Sequence, residues 1–106
     1  MADLDQATIE HLKAKHGDDL TLIEAEGVSI VTKPVGIGPY RIFRKKAADD
    51  ATRATAEEGL FFDVLVYPER QQLMAQIEGK PFLLVHFTSE VIKTAGAMAE
   101  VRSKKL

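Results

Sequence analysis

Few residues of this 106-residue chain have the types and spacing that catalysis or metal binding requires. His11 and His16 are five residues apart, which would place them roughly 140° apart around a helix, and His86 stands alone between apolar neighbours. The chain contains no cysteine, so thiolate metal sites, cysteine nucleophiles and disulfides are excluded. No serine lies in a Gly-x-Ser-x-Gly turn. We therefore predict no catalytic, cofactor-binding or metal-binding residue, and we expect the protein not to be an enzyme.

A glycine-containing turn at residues 36–39 (GIGP) lies between a predicted strand and a predicted helix, where phosphate-binding loops occur. It lacks a third glycine at the required spacing and a following Gly-Lys-Ser/Thr, and Pro39 has no backbone N–H to donate. We therefore interpret it as a structural turn.

Four basic side chains form the one marked charge cluster: Arg41, Arg44, Lys45 and Lys46. On a helix, Arg41, Arg44 and Lys45 share a face because they are three and four residues apart. They could dock onto an acidic partner or a phosphate backbone, or they could form a solvated face that pairs with neighbouring acidic helices. Because the net charge is −2 and no recognition motif accompanies the cluster, we do not expect nucleic-acid binding.

The composition is that of a globular protein, with 45% hydrophobic and 28% charged residues. We predict one domain at 1–96 and a flexible basic tail at 97–106. The N-terminus lacks the basic start of a signal peptide, and the longest runs of large apolar residues have four members, whereas a membrane span needs about 20. We therefore expect a protein of the cytoplasm with no membrane partner.

The elements that follow from hydrophobic periodicity and from capping residues give an α+β fold, mainly helical, with one N-terminal β-hairpin packed on about five short helices. Asp3 or Asp5 would cap the first helix, which Gly17 would end, and Gly27 would lie in the turn of the hairpin. Gly38 would cap the second helix, and Thr52 or Thr55 would cap the third. The predicted helices are 5–16, 39–50, a third that starts at Thr52 or Thr55 and runs to 67, 68–78 and 81–96, and the predicted strands are 20–24 and 28–32.

Residues 60–67 are apolar nearly all round, which favours a central buried helix, with a strand as the alternative. Elsewhere we expect Leu20, Leu22, Val28 and Ile30 to share one face of the hairpin. We also expect the second helix to bury a stripe of Ile37, Tyr40, Phe43 and Ala47.

Several of these segments, taken in order, resemble a known family. They are the opening helix with residues 9–17 (IEHLKAKHG), the hairpin that ends in Lys33-Pro34, and the basic-aromatic helix with Tyr40, Phe43 and Arg44. The most specific segments are residues 64–70 (VLVYPER) and 94–106 (TAGAMAEVRSKKL). Over nearly its whole length the chain is similar to the small tail assembly chaperones of long-tailed phages and prophages.

The resemblance implies a non-enzymatic protein that binds the tape measure protein, and also tail tube subunits, during tail assembly in the bacterial cytoplasm. It implies that the protein is absent from the mature virion. Self-association is compatible with this role. The alternatives are a structural tail component, such as a completion or connector subunit, and a nucleic-acid-binding regulator.

A chaperone of this kind needs exposed apolar surface that competes with self-association of its client. The residues we single out for partner binding are Arg41, Arg44, Lys45, Phe61, Phe62, Met74 and Met98. Core packing is the alternative for the aromatic residues and for the methionines.

Overall fold

The chain alternates short helices and strands, and the computed structural model describes residues 4–106. In this part of the chain the predicted α+β fold with a hairpin packed on helices is confirmed. The helices are α1 (Gln6–His16), α2 (Ile37–Ala47), α3 (Arg53–Val64), α4 (Arg70–Gln76) and α5 (Phe82–Ile92), and a π-helical turn (Lys93–Ala97) extends α5. The strands are β1 (Thr21–Ala25), β2 (Val28–Thr32) and β3 (Leu65–Tyr67).

The first helix begins and ends at residues that the sequence marks. The Asp5 side chain accepts a hydrogen bond from the Thr8 backbone N–H at 2.7 Å, which makes Asp5 the N-cap of α1. Gly17 ends α1 with φ 94°, and its N–H donates to the Lys13 carbonyl at 2.8 Å. Both predictions are confirmed, while Asp3, the alternative cap, lies outside the described residues.

A two-residue turn at Glu26 and Gly27, both with positive φ, joins β1 to β2. This turn sets Ile23 opposite Ile30 and Leu22 opposite Val31. Residues directly opposite in an antiparallel pair share a face. The prediction that Leu22 shares a face with Ile30 is therefore wrong, because it assumed a different register. Leu20, two residues before Leu22, lies with it over a small cavity shared with α1.

The third strand was not predicted as such. The helix predicted through residue 67 ends at Val64, and β3 pairs antiparallel with β2, with Tyr67 opposite Val31. The prediction is correct for α3 and wrong for Leu65–Tyr67. β2 thus becomes the central strand of the sheet, with the order β1-β2-β3.

The core is a cluster of buried residues from α3, α4, α5 and the sheet. Phe61 and Val64 of α3 pack with Ile30 of β2, Leu73 of α4 and Phe87 of α5, and all five are almost completely buried. This central position explains the apolar residues Leu60, Phe61 and Val64, whereas Asp63 of the same helix is exposed.

The starts of the helices agree only in part with the predicted caps. Gly36, and not Gly38, is the N-cap of α2, so α2 begins two residues before Pro39. Thr52, one of the two expected residues, is the N-cap of α3, but its hydroxyl donates to the Lys46 carbonyl at 2.6 Å and makes no capping bond to α3; Thr55 lies inside α3. The fourth helix is shorter than predicted, since Glu69 is its N-cap.

Candidate functional site: an apolar groove beside a basic helix

The two adjacent phenylalanines proposed for partner binding are not equivalent. Phe61 has no exposed surface, because its ring stacks on Phe87 with centroids 6.4 Å apart and an interplanar angle of 8°. Phe62 is half-buried, meets Phe61 edge-on at 5.1 Å, and is covered by the Arg70 guanidinium 4.2 Å from its ring centroid. Phe61 is thus a core residue of this fold and does not lie on the surface, which corrects its assignment to a partner surface.

The two methionines lie on separate elements. Met74 is on α4 and is 42% exposed, although its neighbours Leu73 and Ile77 are buried. Met98 follows the π-helical turn and is 74% exposed. The structure does not bring Met74 and Met98 into one described cavity, and of the two only Met98 adjoins the groove defined below.

The basic residues lie on α2, and all of them are exposed. Arg44 Nη1 donates to the Tyr40 hydroxyl at 2.9 Å, and its guanidinium carbon lies 5.9 Å from the centroid of the Tyr40 ring. The ion pairs within residues 4–106 are Arg53–Asp50, Lys80–Glu26 and Lys93–Glu90, so none of them involves α2. The hypothesis that neighbouring acidic helices neutralise the basic face therefore finds no ion pair in this part of the chain.

α2 is less buried against the rest of the protein than its sequence predicts. None of its residues is fully buried, and only Pro39, Phe43 and Ala47 are half-buried, of which Phe43 and Ala47 belong to the expected buried stripe. The other two members of that stripe are open to solvent: Ile37 is 65% exposed and Tyr40 is 41% exposed. The prediction of a buried stripe is therefore wrong for these two residues, because α2 packs on α3 along one edge of the stripe only.

The uncovered edge of this stripe borders an apolar cavity of about 490 Å³. Ile37, Tyr40 and Phe43 of α2 form one wall, and Ile92 and residues 95–97 form the opposite wall, with Leu60 between them. We call this cavity the α2 groove. Gly96 has φ 105°, and a Cβ placed there would meet no atom within 4 Å, so this wall stands open.

A second cavity, of about 370 Å³, lies on the other side of α2. Ile42 and Lys46 line it, together with polar residues of the α2–α3 connection and of α3, including Thr52, Thr55 and Asp63. Phe43 and Leu60 line both cavities, so the two cavities are neighbours that share these side chains. The α2 groove is the more apolar of the two, because its lining residues include no charged side chain.

Sequence reasoning found the basic residues of α2 but missed the groove beside them. One signal could have indicated it: the small residues 95–97 follow directly after the apolar α5. This signal does not reveal how far α5 lies from α2, which is a tertiary property.

The residues with metal-binding or catalytic chemistry do not converge in the described structure. His11 and His86 are exposed, and His16 is half-buried at the end of α1. Among residues 4–106, no group of three or more His, Cys, Asp or Glu side chains is placed to hold a metal ion. The GIGP turn caps and begins α2. None of the helices in residues 4–106 has the length and apolar character needed to cross a membrane.

Comparison with known proteins gives the fold and no family. No family model matches the chain, and no curated protein matches it. The solved structure of the uncharacterised protein rbstp2171 from Bacillus stearothermophilus is similar, with a TM-score of 0.70 and 23% sequence identity over 90% of this chain and 98% of that chain. At this identity the likeness shows a shared fold alone.

Proposed function

We propose that the protein is a tail assembly chaperone of a long-tailed phage or prophage, which binds the tape measure protein and tail tube subunits in the host cytoplasm and leaves before the virion is complete. The α2 groove is the observation that carries this proposal. Exposed Ile37 and Tyr40 form an apolar surface of the kind that a client helix can cover. The order of segments along the chain, which resembles that family, adds the kind of client.

A binding role for the α2 groove fits the chemistry of a chaperone. A chaperone must cover apolar surface of its client without changing a covalent bond, and it must release the client later. A groove of about 490 Å³ on one thinly attached helix offers a contact of modest area. Modest interfaces are typical of transient complexes.

Co-expression with the proteins of the same tail gene cluster tests the proposal. We expect an affinity tag on this chain to retain the tape measure protein and to keep it soluble. An Ile37→Asp variant should retain less of it, since the substitution places a charge on the groove wall. Failure of the wild-type chain to retain either the tape measure protein or tube subunits would contradict the proposed function.

A structural tail component is the second candidate, because the same exposed apolar groove could be covered permanently in a particle. Mass spectrometry of purified virions separates the two roles. A chaperone should be absent from mature particles, whereas a completion or connector subunit should be present in a fixed ratio to the tube subunits.

A further inference from the structure

We propose that the α2 groove binds an acidic amphipathic helix, whose apolar face fills the groove and whose flanking carboxylates pair with the basic side chains of α2. The inference rests on the proposed function for the existence of a client. It adds the chemical class of the client segment that occupies the groove.

The lining of the groove favours an apolar helix face over a small polar ligand. The Tyr40 hydroxyl is the one polar side-chain group among its described lining residues, and Arg44 already donates to it at 2.9 Å. Small-molecule sites fix their ligands with several converging polar groups, which this lining does not provide. The apolar face of a helix needs no converging polar groups in order to bind.

The size and openness of the groove suit a helix. The α2 residues that line the groove, from Ile37 to Phe43, cover about 10 Å at the rise of an α-helix, or nearly two turns. The opposite wall contains Ala95, Gly96 and Ala97, whose small side chains let a neighbouring backbone approach closely. A helix laid along α2 could therefore insert one apolar stripe between the two walls.

The positive charge of α2 favours a partner helix that has acidic residues beside its apolar stripe. α2 carries four basic side chains and no acidic one, and none of the ion pairs within residues 4–106 involves them. Carboxylates on the flank of the apolar stripe that faces α2 would lie against this unpaired positive charge. Complementary charge of this kind steers association and sets the orientation of the partner.

The positive charge of α2 also argues against two occupants that this protein could itself supply, namely its C-terminal segment and the α2 helix of a second copy. The C-terminal segment 98–106 starts at the groove wall and carries apolar Met98, Val101 and Leu106, but it has three basic residues and one acidic residue. Docking this segment into the groove of its own chain or of a second copy would bring positive charge to the basic helix. A symmetric contact between two α2 helices would also oppose like charges, because both copies present the same surface.

Two synthetic peptides test the inference on the full-length protein. Both have about 20 residues and one leucine stripe at helical spacing, and they differ only in carrying glutamate or lysine at the flanking positions. Isothermal titration calorimetry measures binding at low and high salt. We expect the glutamate peptide to bind about tenfold or more tightly than the lysine peptide, and we expect its affinity to fall as salt rises.

Two matched variants locate the contact. Ile37→Asp and Ile42→Asp change the same residue type on the same helix at similar exposure, 65% and 58%, and they alter the charge equally. Ile37 lines the α2 groove, whereas Ile42 lines the cavity on the other side of α2. We expect Ile37→Asp to weaken binding of the glutamate peptide about tenfold and Ile42→Asp to change it by about twofold or less.

A charge reversal keeps the test decisive if Ile37→Asp fails to fold, which circular dichroism would show. Arg41→Glu combined with Lys45→Glu should weaken the glutamate peptide and strengthen the lysine peptide. The control is Lys13→Glu combined with Lys15→Glu on α1, which makes the same change in net charge away from the groove and should leave both affinities unchanged.

Four results of the binding experiments would each overturn the inference. They are the absence of binding by the glutamate peptide, equal binding of both peptides, an equal effect of the two isoleucine variants, and displacement of the glutamate peptide by a short DNA duplex. Sedimentation equilibrium showing a dimer that Ile37→Asp dissociates would also overturn it, because the groove would then be covered by a second copy. If the tagged chain retains the tape measure protein but no peptide binds, this inference fails and the proposed function stands. If the glutamate peptide binds but the tagged chain retains neither the tape measure protein nor tube subunits, the proposed function fails and the inference about the groove stands.

Discussion

Phe61 and Phe82 are the same residue type in opposite surroundings. Comparing them therefore shows how much burial of a phenylalanine contributes to the free energy of unfolding. Phe61 is completely buried against Phe87, whereas Phe82 at the start of α5 is 76% exposed. We expect Phe61→Ala to lower the free energy of unfolding by about 3 to 5 kcal/mol, because it leaves a cavity in the core. Phe82→Ala should change it by about 0.5 kcal/mol or less. Urea denaturation measures both, and equal losses would show that Phe61 is not a core residue.

Asp5 stabilises the fold through one hydrogen bond, the N-cap of α1. Hydrogen bonding to the side chain of Thr8, and then to the Thr8 backbone N–H, lowers the pKa of Asp5 below its ordinary value of 3.8. A carboxyl whose pKa is lower in the folded state stabilises the fold above its unfolded pKa, and this stabilisation is lost as the pH falls through the folded pKa. Asparagine accepts the same hydrogen bond without titrating.

We therefore expect the stability difference between the wild type and Asp5→Asn to shift in favour of Asp5→Asn as the pH falls below 3.8. Asp5→Ala, which removes the cap, should be less stable than both at neutral pH. Urea denaturation of the three proteins across this pH range measures the effect. An identical pH dependence for the wild type and Asp5→Asn would show that the cap does not depend on the charged carboxylate.

At the scale of elements, the sequence predicts what depends on neighbours along the chain. The cap at Asp5, the stop at Gly17 and the turn at Gly27 are local, and all three were predicted correctly. The third strand was missed because nothing in residues 60–67 marks the change from helix to strand. That change is fixed by hydrogen bonds to β2, which lies more than 30 residues earlier.

For the candidate site, too, the sequence predicted the local features of α2 but not how α2 packs against the rest of the chain. The basic residues of α2 could be found because charge and helical spacing are visible in the sequence. The stripe containing Ile37 and Phe43 was also visible, but a stripe shows which side of a helix is apolar and not how much of it a neighbour covers. Coverage of the stripe depends on where the end of α5 lies, so the groove emerged only in the structure.

The shallow attachment of α2 predicts that it opens more easily than the core. Elements with few buried apolar contacts exchange their amide hydrogens through local unfolding. We expect the amides of α2 to exchange about tenfold or more faster than those of α3, as measured by hydrogen–deuterium exchange with mass spectrometry. Phe43→Ala should speed exchange in α2 further and leave α3 unchanged, whereas Ile42→Ala, at an exposed position of the same helix, should have little effect. Equal protection of α2 and α3 in the wild type would contradict this description.

At the scale of the whole molecule, charge is divided along the chain. Residues 1–32 carry seven acidic and two basic side chains, whereas residues 33–53 carry six basic and two acidic ones. The net charge of −2 therefore conceals a basic region around α2. Local charge of this kind can direct an acidic partner to one side of a molecule whose overall charge is small.

The C-terminal segment is the last part of the chain whose role can be separated from folding. Residues 98–106 are all exposed and carry no helix or strand, so their removal should cost little stability. We expect a chain that ends at Ala99, which keeps the Ala99 N–H bond to the Gly96 carbonyl, to unfold within about 0.5 kcal/mol of the full-length protein. Such a difference shifts the melting temperature by roughly 2 to 4 °C. Because the deletion also removes Arg102, Lys104 and Lys105, it should weaken an acidic client more at low salt than at high salt. A larger fall in melting temperature would show that this segment belongs to the folded domain, and unchanged client binding at low salt would show that its charge takes no part in docking.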